Sequence, residues 1–371
     1  MDVPLNNLRG VDTPCLLIDL DKLKENIRVM QDYATQVGVG LRPHCKTHKC
    51  SRIAQLQLEA GALGISAAKL SEAEQLIQQG ISSVLITSPI VSEYKLTRLS
   101  RCLKNAPDLL LVVDNPQNAE ALNQLGQMLN QPIRVLIDVD PGIGRTGIAP
   151  DAALDFALFL QNKPWLQVQG IQCYAGNLQH ISDYHERKVA SLKTMEMASG
   201  LFRALKPLFS EFNILTGSGT GTFDIDPEAS EVTEIQPGSY TVMDVQYESI
   251  GSRENPRQFN RFKNALTLLT TVISANRKEH VTVDAGTKAI YFDPNYQPRI
   301  ISHPHLFYDW GGFGDEHGKI MGNAPLPGCA ELIEMIVPHC DPTINLYDQY
   351  VIVQNNEVID LWDIDLRGKS Q

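Results

Sequence analysis

Short apolar runs alternate with amphipathic stretches through residues 13–245, and this alternation limits the fold more than any other feature of the chain. Runs rich in Val, Ile and Leu occur at 39–46, 63–68, 84–88, 109–114, 133–138, 168–174, 212–216 and 232–235. Several are continuously apolar rather than alternating, as strands buried on both faces are. Patterns of helical period at 71–79, 116–129, 150–160 and 182–208 separate them. Repeated strand–helix units predict an α/β fold, a (β/α)8 TIM-type barrel over residues 13–245. A doubly wound open sheet is the alternative. A strand at 15–19 and an amphipathic helix through Leu23, Ile27 and Met30 precede the repeats.

From about residue 246 the texture changes. Strand-like runs at 266–274, 280–283, 289–292, 335–338, 349–353 and 358–362 lie between Gly and Pro turns, without long helices. They predict a second, mainly β domain over 246–371. A chain of 371 residues has room for both. Its net charge of -11 argues against nucleic acid or an anionic membrane as a partner. No apolar stretch is long enough to span a bilayer, and no basic segment followed by an apolar run marks a signal peptide. Seven scattered cysteines, without a CxxC pair, suit free thiols in a reducing compartment. The expectation is a cytoplasmic protein.

Barrels of this kind carry their chemistry at the C-terminal ends of the strands. The first such tail reads Arg42-Pro43-His44-Cys45-Lys46-Thr47-His48-Lys49. A lysine crowded by cationic or dipolar groups loses its proton readily, and its amine becomes a nucleophile of the kind that forms Schiff bases. Most lysines are simply exposed; the strand-end position is what distinguishes Lys46. Two further tails, Thr216-Gly217-Ser218-Gly219-Thr220-Gly221-Thr222 and Pro237-Gly238-Ser239-Tyr240, follow the seventh and eighth runs. Those two positions are where barrels recurrently hold phosphate, and glycines let backbone N–H groups approach an anion. A Walker-type lysine motif is missing, so a nucleoside triphosphate is not expected.

The loop 138–147 offers Arg145 to a phenolate or carboxylate. The tail 174–180 offers the ring of Tyr174 and the imidazole of His180 as acid or base. In the β domain, His339 and Asp341 flank Cys340. In an extended segment residues two apart share a face, so His339 and Asp341 converge on one divalent ion while Cys340 points away. His-x-Asp alone is common, so its weight comes from context. His317 receives no role, and no Ser-His-Asp or HExxH pattern occurs.

Taken together these residues resemble the D-threonine aldolase and D-serine dehydratase group of alanine racemase-fold (fold type III) pyridoxal-phosphate enzymes. The resemblance runs from Asp12-Thr13-Pro14 through the PHxKTHK stretch at Lys46, Glu72-Ala73-Glu74, the Arg145 loop, 174–180 and 237–240 to His339-Cys340-Asp341. It implies that Lys46 carries pyridoxal 5'-phosphate. It implies that Thr220, Gly238 and Ser239 hold the phosphate with Ser218 and Gly219 nearby, that Arg145 faces the phenolic oxygen, and that Tyr174 and Tyr247 contact the cofactor. His339 and Asp341 become the metal ligands. The family's N-terminal strand joins the β domain, here with residues 1–12, and its members pack as homodimers.

Dehydratases of the group tend to have His-x-Cys, whose thiolate suits zinc. The oxygen ligand Asp341 instead favours Mn2+ or Mg2+ and the aldolase branch. Gln236 stands where alanine racemases tend to have an arginine, which argues against racemisation. The implied reaction is retro-aldol cleavage of a small-molecule substrate, a D-3-hydroxy amino acid of D-threonine type, to glycine and an aldehyde. Lys46 and His180 are its catalytic residues. The alternatives are dehydration of D-serine, D-threonine or 3-hydroxy-D-aspartate to a 2-oxo acid and ammonia, and a non-catalytic pyridoxal-phosphate carrier.

Overall fold

The computed structural model describes residues 8–371 other than 312, 323, 324 and 356. The expected contribution of residues 1–12 to the β domain therefore lies partly outside the described residues. After the first strand, β1 (Cys15–Asp19), the apolar runs form β2 (Gly40–Leu41), β3 (Ile65–Ala67), β4 (Val84–Ile86), β5 (Leu110–Val113), β6 (Ile133–Asp138), β7 (Leu166–Cys173), β8 (Ile214–Gly217) and β9 (Glu234–Ile235). β2 to β9 make one 8-stranded sheet in the order β2-β9-β8-β7-β6-β5-β4-β3, parallel throughout. Its two ends meet. Leu63 N–H donates to Leu41 O at 2.8 Å, Ser66 N–H to Pro43 O at 2.8 Å, and Cys45 N–H to Ser66 O at 2.9 Å. The sheet is thus the closed barrel that the strand–helix repeats predict.

Helices α1 (Leu20–Val37), α2 (Ser51–Glu59), α3 (Leu70–Gln78), α4 (Glu93–Asn105), α5 (Pro116–Leu129), α6 (Ala153–Gln161) and α7 (Tyr184–Leu205) connect the strands. Leu23, Ile27 and Met30 of α1 are buried, as their spacing requires. Asn115 caps α5 by accepting from Asn118 N–H, and Pro116 fills the first helical position, where a missing N–H costs nothing. β7 carries a bulge: its register shifts between Val135 and Leu136 of β6, and Leu136 faces Gly170. A Cβ there would lie 1.7 Å from Ile214 O at φ +155, so only glycine fits.

Beyond the barrel come the short helix α8 (Val245–Glu248), β10 (Leu266–Ser274), β11 (His280–Val283), β12 (Arg299–Ile300), β13 (Leu306–Asp309), β14 (Gly318–Gly322) and β15 (Leu332–Ile336). They are followed by α9 (Cys340–Ile344) and the hairpin β16 (Gln349–Gln354) and β17 (Glu357–Asp363). They form a 9-stranded mixed sheet in the order β13-β14-β11-β10-β1-β16-β17, with β15 on β10 and β12 on β15. The 289–292 run is not a strand: Ala289 and Ile290 N–H both turn back to Gly286 O. β12, β13 and β14 were not expected, because such short strands carry little apolar signal.

The division of the chain differs from a single cut after residue 245. By internal contacts one unit comprises the residues up to Val29, Thr47–Arg52 and Ser239–Gly368, and the other Met30–Lys46, Ile53–Gly238 and Lys369–Gln371. Pairing explains the difference. β1 is antiparallel to β10 and parallel to β16, so it belongs to the mixed sheet. Leu17 of β1 shares a core with Leu269, Val351 and Val358. Among the described residues all seven cysteines are free, and no helix is long and apolar enough to cross a membrane.

Candidate active site

In the barrel unit, a cavity of about 540 Å3 opens among the C-terminal ends of the strands. Its lining includes His44, Lys46, Thr87, Arg145, Tyr174 and Gln236. The volume lies within the range of small-molecule sites, about 300–1,000 Å3. Lys46 leaves the barrel just after the bridge that His44 makes with Ser66. Its N–H donates to His44 Nδ1 at 3.3 Å, and His44 Nε2 lies 3.2 Å from Thr87 Oγ1. Lys46 Nζ and the Arg145 guanidinium stand over the same ring, 6.0 and 5.5 Å from the centroid of Tyr174. Cations attract one another's anions, not each other, so two of them around one aromatic ring suit an anionic, planar ligand.

The Arg145 loop is held from below. Asp140 Oδ1 accepts the N–H groups of Gly142, Ile143 and Gly144 at 2.9, 2.9 and 3.1 Å, and Asp114 Oδ2 accepts Gly147 N–H at 3.1 Å. Deeper in the barrel, Gln172 Nε2 donates to Asp138 Oδ1 at 2.8 Å, and Gln236 Nε2 to Thr216 Oγ1 at 3.0 Å. Burial pushes the Asp138 carboxyl up to about 6, against the hydrogen bonds of Gln172 and Thr146. Its Oδ2 is buried without a hydrogen-bond partner.

The glycine-rich tail of β8 is an organised loop. Ser218 sits at φ +67, and Gly219 N–H donates to Thr222 Oγ1 at 3.3 Å. Gly221 N–H donates to Gln179 Oε1 at 3.0 Å, and the buried Arg187 Nε to Gly221 O at 2.8 Å. Below it Asp226 accepts from Thr222 Oγ1 at 2.7 Å and Ser191 Oγ at 2.5 Å. Burial pushes this carboxyl up to about 6. Thr220 lies buried in the same loop. Gln236 N–H donates to Gly217 O and His44 N–H to Pro237 O, so the tail that ends in Gly238 runs beside both. His180 is exposed in the turn after β7 and does not line the cavity, unlike Tyr174.

In the β-rich unit a second set of expected residues gathers. Thr47 Oγ1 lies 3.4 Å from Ser239 Oγ, which donates to Asp341 Oδ2 at 3.4 Å. Here the geometry corrects the expectation of an extended 338–343 segment. His339 is extended (φ -141, ψ 122), but α9 begins at Cys340. Alternation of faces therefore does not apply, and the thiol of Cys340 donates to Asp341 Oδ2 at 3.6 Å. Cys340 is buried, and desolvation together with Asp244 and Asp341 pushes its thiol well up.

The carboxylate on the His339 ring is one that the sequence reading missed, Asp244, 3.0 Å from Nδ1. Ligand atoms of Asp244, His339 and Cys340 all lie within 4.8 Å of one another. Tyr247 is buried on α8, its N–H donating to Asp244 Oδ1 at 2.8 Å. The one available sequence signal was that Asp244 precedes a helix as an N-cap.

The chain matches two family models: "Alanine racemase, N-terminal domain" over residues 18–246 and "Putative serine dehydratase domain" over residues 265–353. It is 34% identical to a D-threonine aldolase of an Arthrobacter species, over 99% of this chain and 96% of that protein. It is 33% identical to a 3-hydroxy-D-aspartate aldolase of Paracoccus denitrificans, over 97% and 93%. The crystal structure of D-threonine aldolase from Filomicrobium marinum superposes with a TM-score of 0.92 at 32% identity, covering 100% of both chains.

Proposed function

Since the chain belongs to the alanine racemase-fold family that includes D-threonine and 3-hydroxy-D-aspartate aldolases, we propose that this lyase cleaves D-3-hydroxy amino acids of the D-threonine type to glycine and an aldehyde, using pyridoxal phosphate and a divalent ion. The observation that carries the reading is the pairing of Lys46 and Arg145 on the ring of Tyr174 at a cavity among the strand ends.

The residues fit both groups. A primary amine, a guanidinium and an aromatic face around one cavity suit a phosphorylated aromatic aldehyde. The Ser218 and Thr220 hydroxyls, with Gly219, Gly238 and Ser239, are assigned to its phosphate. An imidazole and a carboxylate, His339 and Asp341, suit Mn2+ or Mg2+ better than zinc.

Lys46 would hold the cofactor covalently, Arg145 would donate to its phenolic oxygen, and Tyr174 and Tyr247 would contact it. When bound, pyridoxal phosphate supplies a sink for the electron pair of the breaking Cα–Cβ bond, and the ion acidifies the substrate's β-hydroxyl. The Lys46 amine would also be placed to carry a proton at Cα. His180, expected to take the hydroxyl proton, stays outside the cavity lining, so that proton is left without an assigned base. Arg145 would hold the orientation of the cofactor ring. Homodimer formation belongs to the same reading.

Dehydration to a 2-oxo acid is the second reading, favoured by the serine dehydratase model that matches 265–353. One assay separates them. Purified protein is incubated with pyridoxal phosphate, Mn2+ and either D-threonine or D-serine. Glycine and acetaldehyde from D-threonine, abolished by EDTA, are expected. Oxo acid and ammonia would select the dehydratase, and absence of turnover on both would remove the catalytic reading.

A further inference from the structure

We propose that Asp244 is a positioning residue for the ion site: it fixes the tautomer of His339 so that Nε2 is the nitrogen offered to a divalent cation. The inference rests on the functional reading above and assigns a role to a residue outside the expected ligand set.

The geometry is specific. Asp244 is fully buried, with 0% side-chain exposure, whereas the His339 side chain is 23% exposed. Both carboxylate oxygens are already engaged. Oδ1 accepts Tyr247 N–H at 2.8 Å, and Oδ2 accepts Cys340 N–H at 2.9 Å while lying 3.0 Å from His339 Nδ1. A carboxylate has no hydrogen to donate, so the ring nitrogen that faces it, Nδ1, carries one. A neutral imidazole with hydrogen on Nδ1 has its lone pair on Nε2, and that nitrogen can bind a metal.

The same carboxylate fixes the ring's position along the chain. Cys340 is the first residue of α9 and Tyr247 lies on α8, so one buried group ties both helix starts to the imidazole. Thr343 Oγ1 donates to His339 O at 2.8 Å and holds the backbone from the other side. With Tyr247 N–H, Cys340 N–H and the ring on it, the carboxylate already accepts at three of its roughly four lone-pair sites, which favours a supporting role over direct ligation.

The test is Asp244→Asn, which keeps the shape but turns an amide donor either toward the ring and Cys340 N–H or toward Tyr247 N–H. In the metal-free wild type, 15N NMR of the imidazole nitrogens assigned to His339 should report hydrogen on Nδ1. In the variant the resonances should move toward the Nε2–H tautomer. Titration with Mn2+ alone, followed by the loss of its free-ion EPR signal, should show about 10- to 100-fold weaker binding. The yellow colour of the lysine-bound cofactor should be unchanged.

A wild-type His339 with hydrogen on Nε2 overturns the proposal even if Asp244→Asn does not fold. So does a folded variant whose Mn2+ affinity stays within about threefold of wild type. If the wild type cleaves D-threonine and binds Mn2+ but either of those results is found, only the role of Asp244 falls. If the wild type binds no Mn2+, the functional reading falls and this inference with it.

Discussion

Lys46 shows how a short stretch divides its labour. Of the two histidines that flank it, His44 lines the cavity and meets Thr87, whereas His48 is fully buried. His48 Nδ1 accepts Cys50 N–H at 3.2 Å, and its carbonyl accepts the Tyr350 hydroxyl at 2.7 Å. Crowding by two imidazoles, the sequence argument for a reactive amine, thus reduces to one imidazole and the Arg145 guanidinium across the Tyr174 ring. Lys46→Ala removes the amine and leaves the cavity lining otherwise intact. The variant should fail to turn yellow with pyridoxal phosphate and should lose at least about a thousandfold in kcat/KM, the scale expected when a covalently held reactant is no longer positioned. Retained colour would mean that another lysine carries the cofactor, and Lys69, which also lines the cavity, would be examined next.

At the scale of elements, the loop after β8 draws its shape from a carboxyl that the sequence did not single out. Asp226 holds Thr222 and Ser191, Thr222 in turn receives Gly219 N–H, and Arg187 and Gln179 fix Gly221. The glycines and hydroxyls were legible because strand tails in a barrel are where such donors are useful. The support beneath them was not, since Ser191 comes from the middle of α7. Burial raises Asp226 from the ordinary 3.8 to about 6. A carboxyl whose folded value is raised favours the folded state at low pH, and that contribution disappears as pH climbs through 3.8 to about 6. The interval corresponds to about 3 kcal/mol. Asp226→Asn has no such loss. Its thermal midpoint relative to wild type should therefore be higher at pH 7.5 than at pH 4.5, in urea or heat unfolding of the cofactor-free protein. A difference independent of pH would show that the carboxyl is already ionised at pH 4.5 in the folded protein.

For the whole molecule, the barrel strands were legible because burial on both faces leaves continuous apolar runs, and each run became a strand. The sheet that β1 joins was not legible from its own residues, since Cys15–Asp19 specifies an extended conformation but no partner. The Asp244–His339 contact escaped for the same reason, with 95 positions between its members. Closure of the barrel at β2 depends on another such pair. Arg42 Nε donates to Glu234 Oε2 at 2.8 Å and Nη2 to Oε1 at 3.1 Å, with side-chain exposures of only 10% and 7%. The pair lines a cavity of about 480 Å3 at the opposite end of the strands from Lys46. Conserving charge there is not needed for chemistry at the other mouth, so its removal isolates stability. Arg42→Met leaves a buried carboxylate unpaired, and Glu234→Leu leaves a buried guanidinium unpaired; each should cost about 3–5 kcal/mol in urea unfolding. The double variant replaces both charges by apolar groups and should recover most of that loss, giving a coupling of at least about 2 kcal/mol. Additive single effects would show that water reaches the pair and that backbone pairing of Gly40 and Leu41 with Glu234 and Ile235 closes the barrel without it.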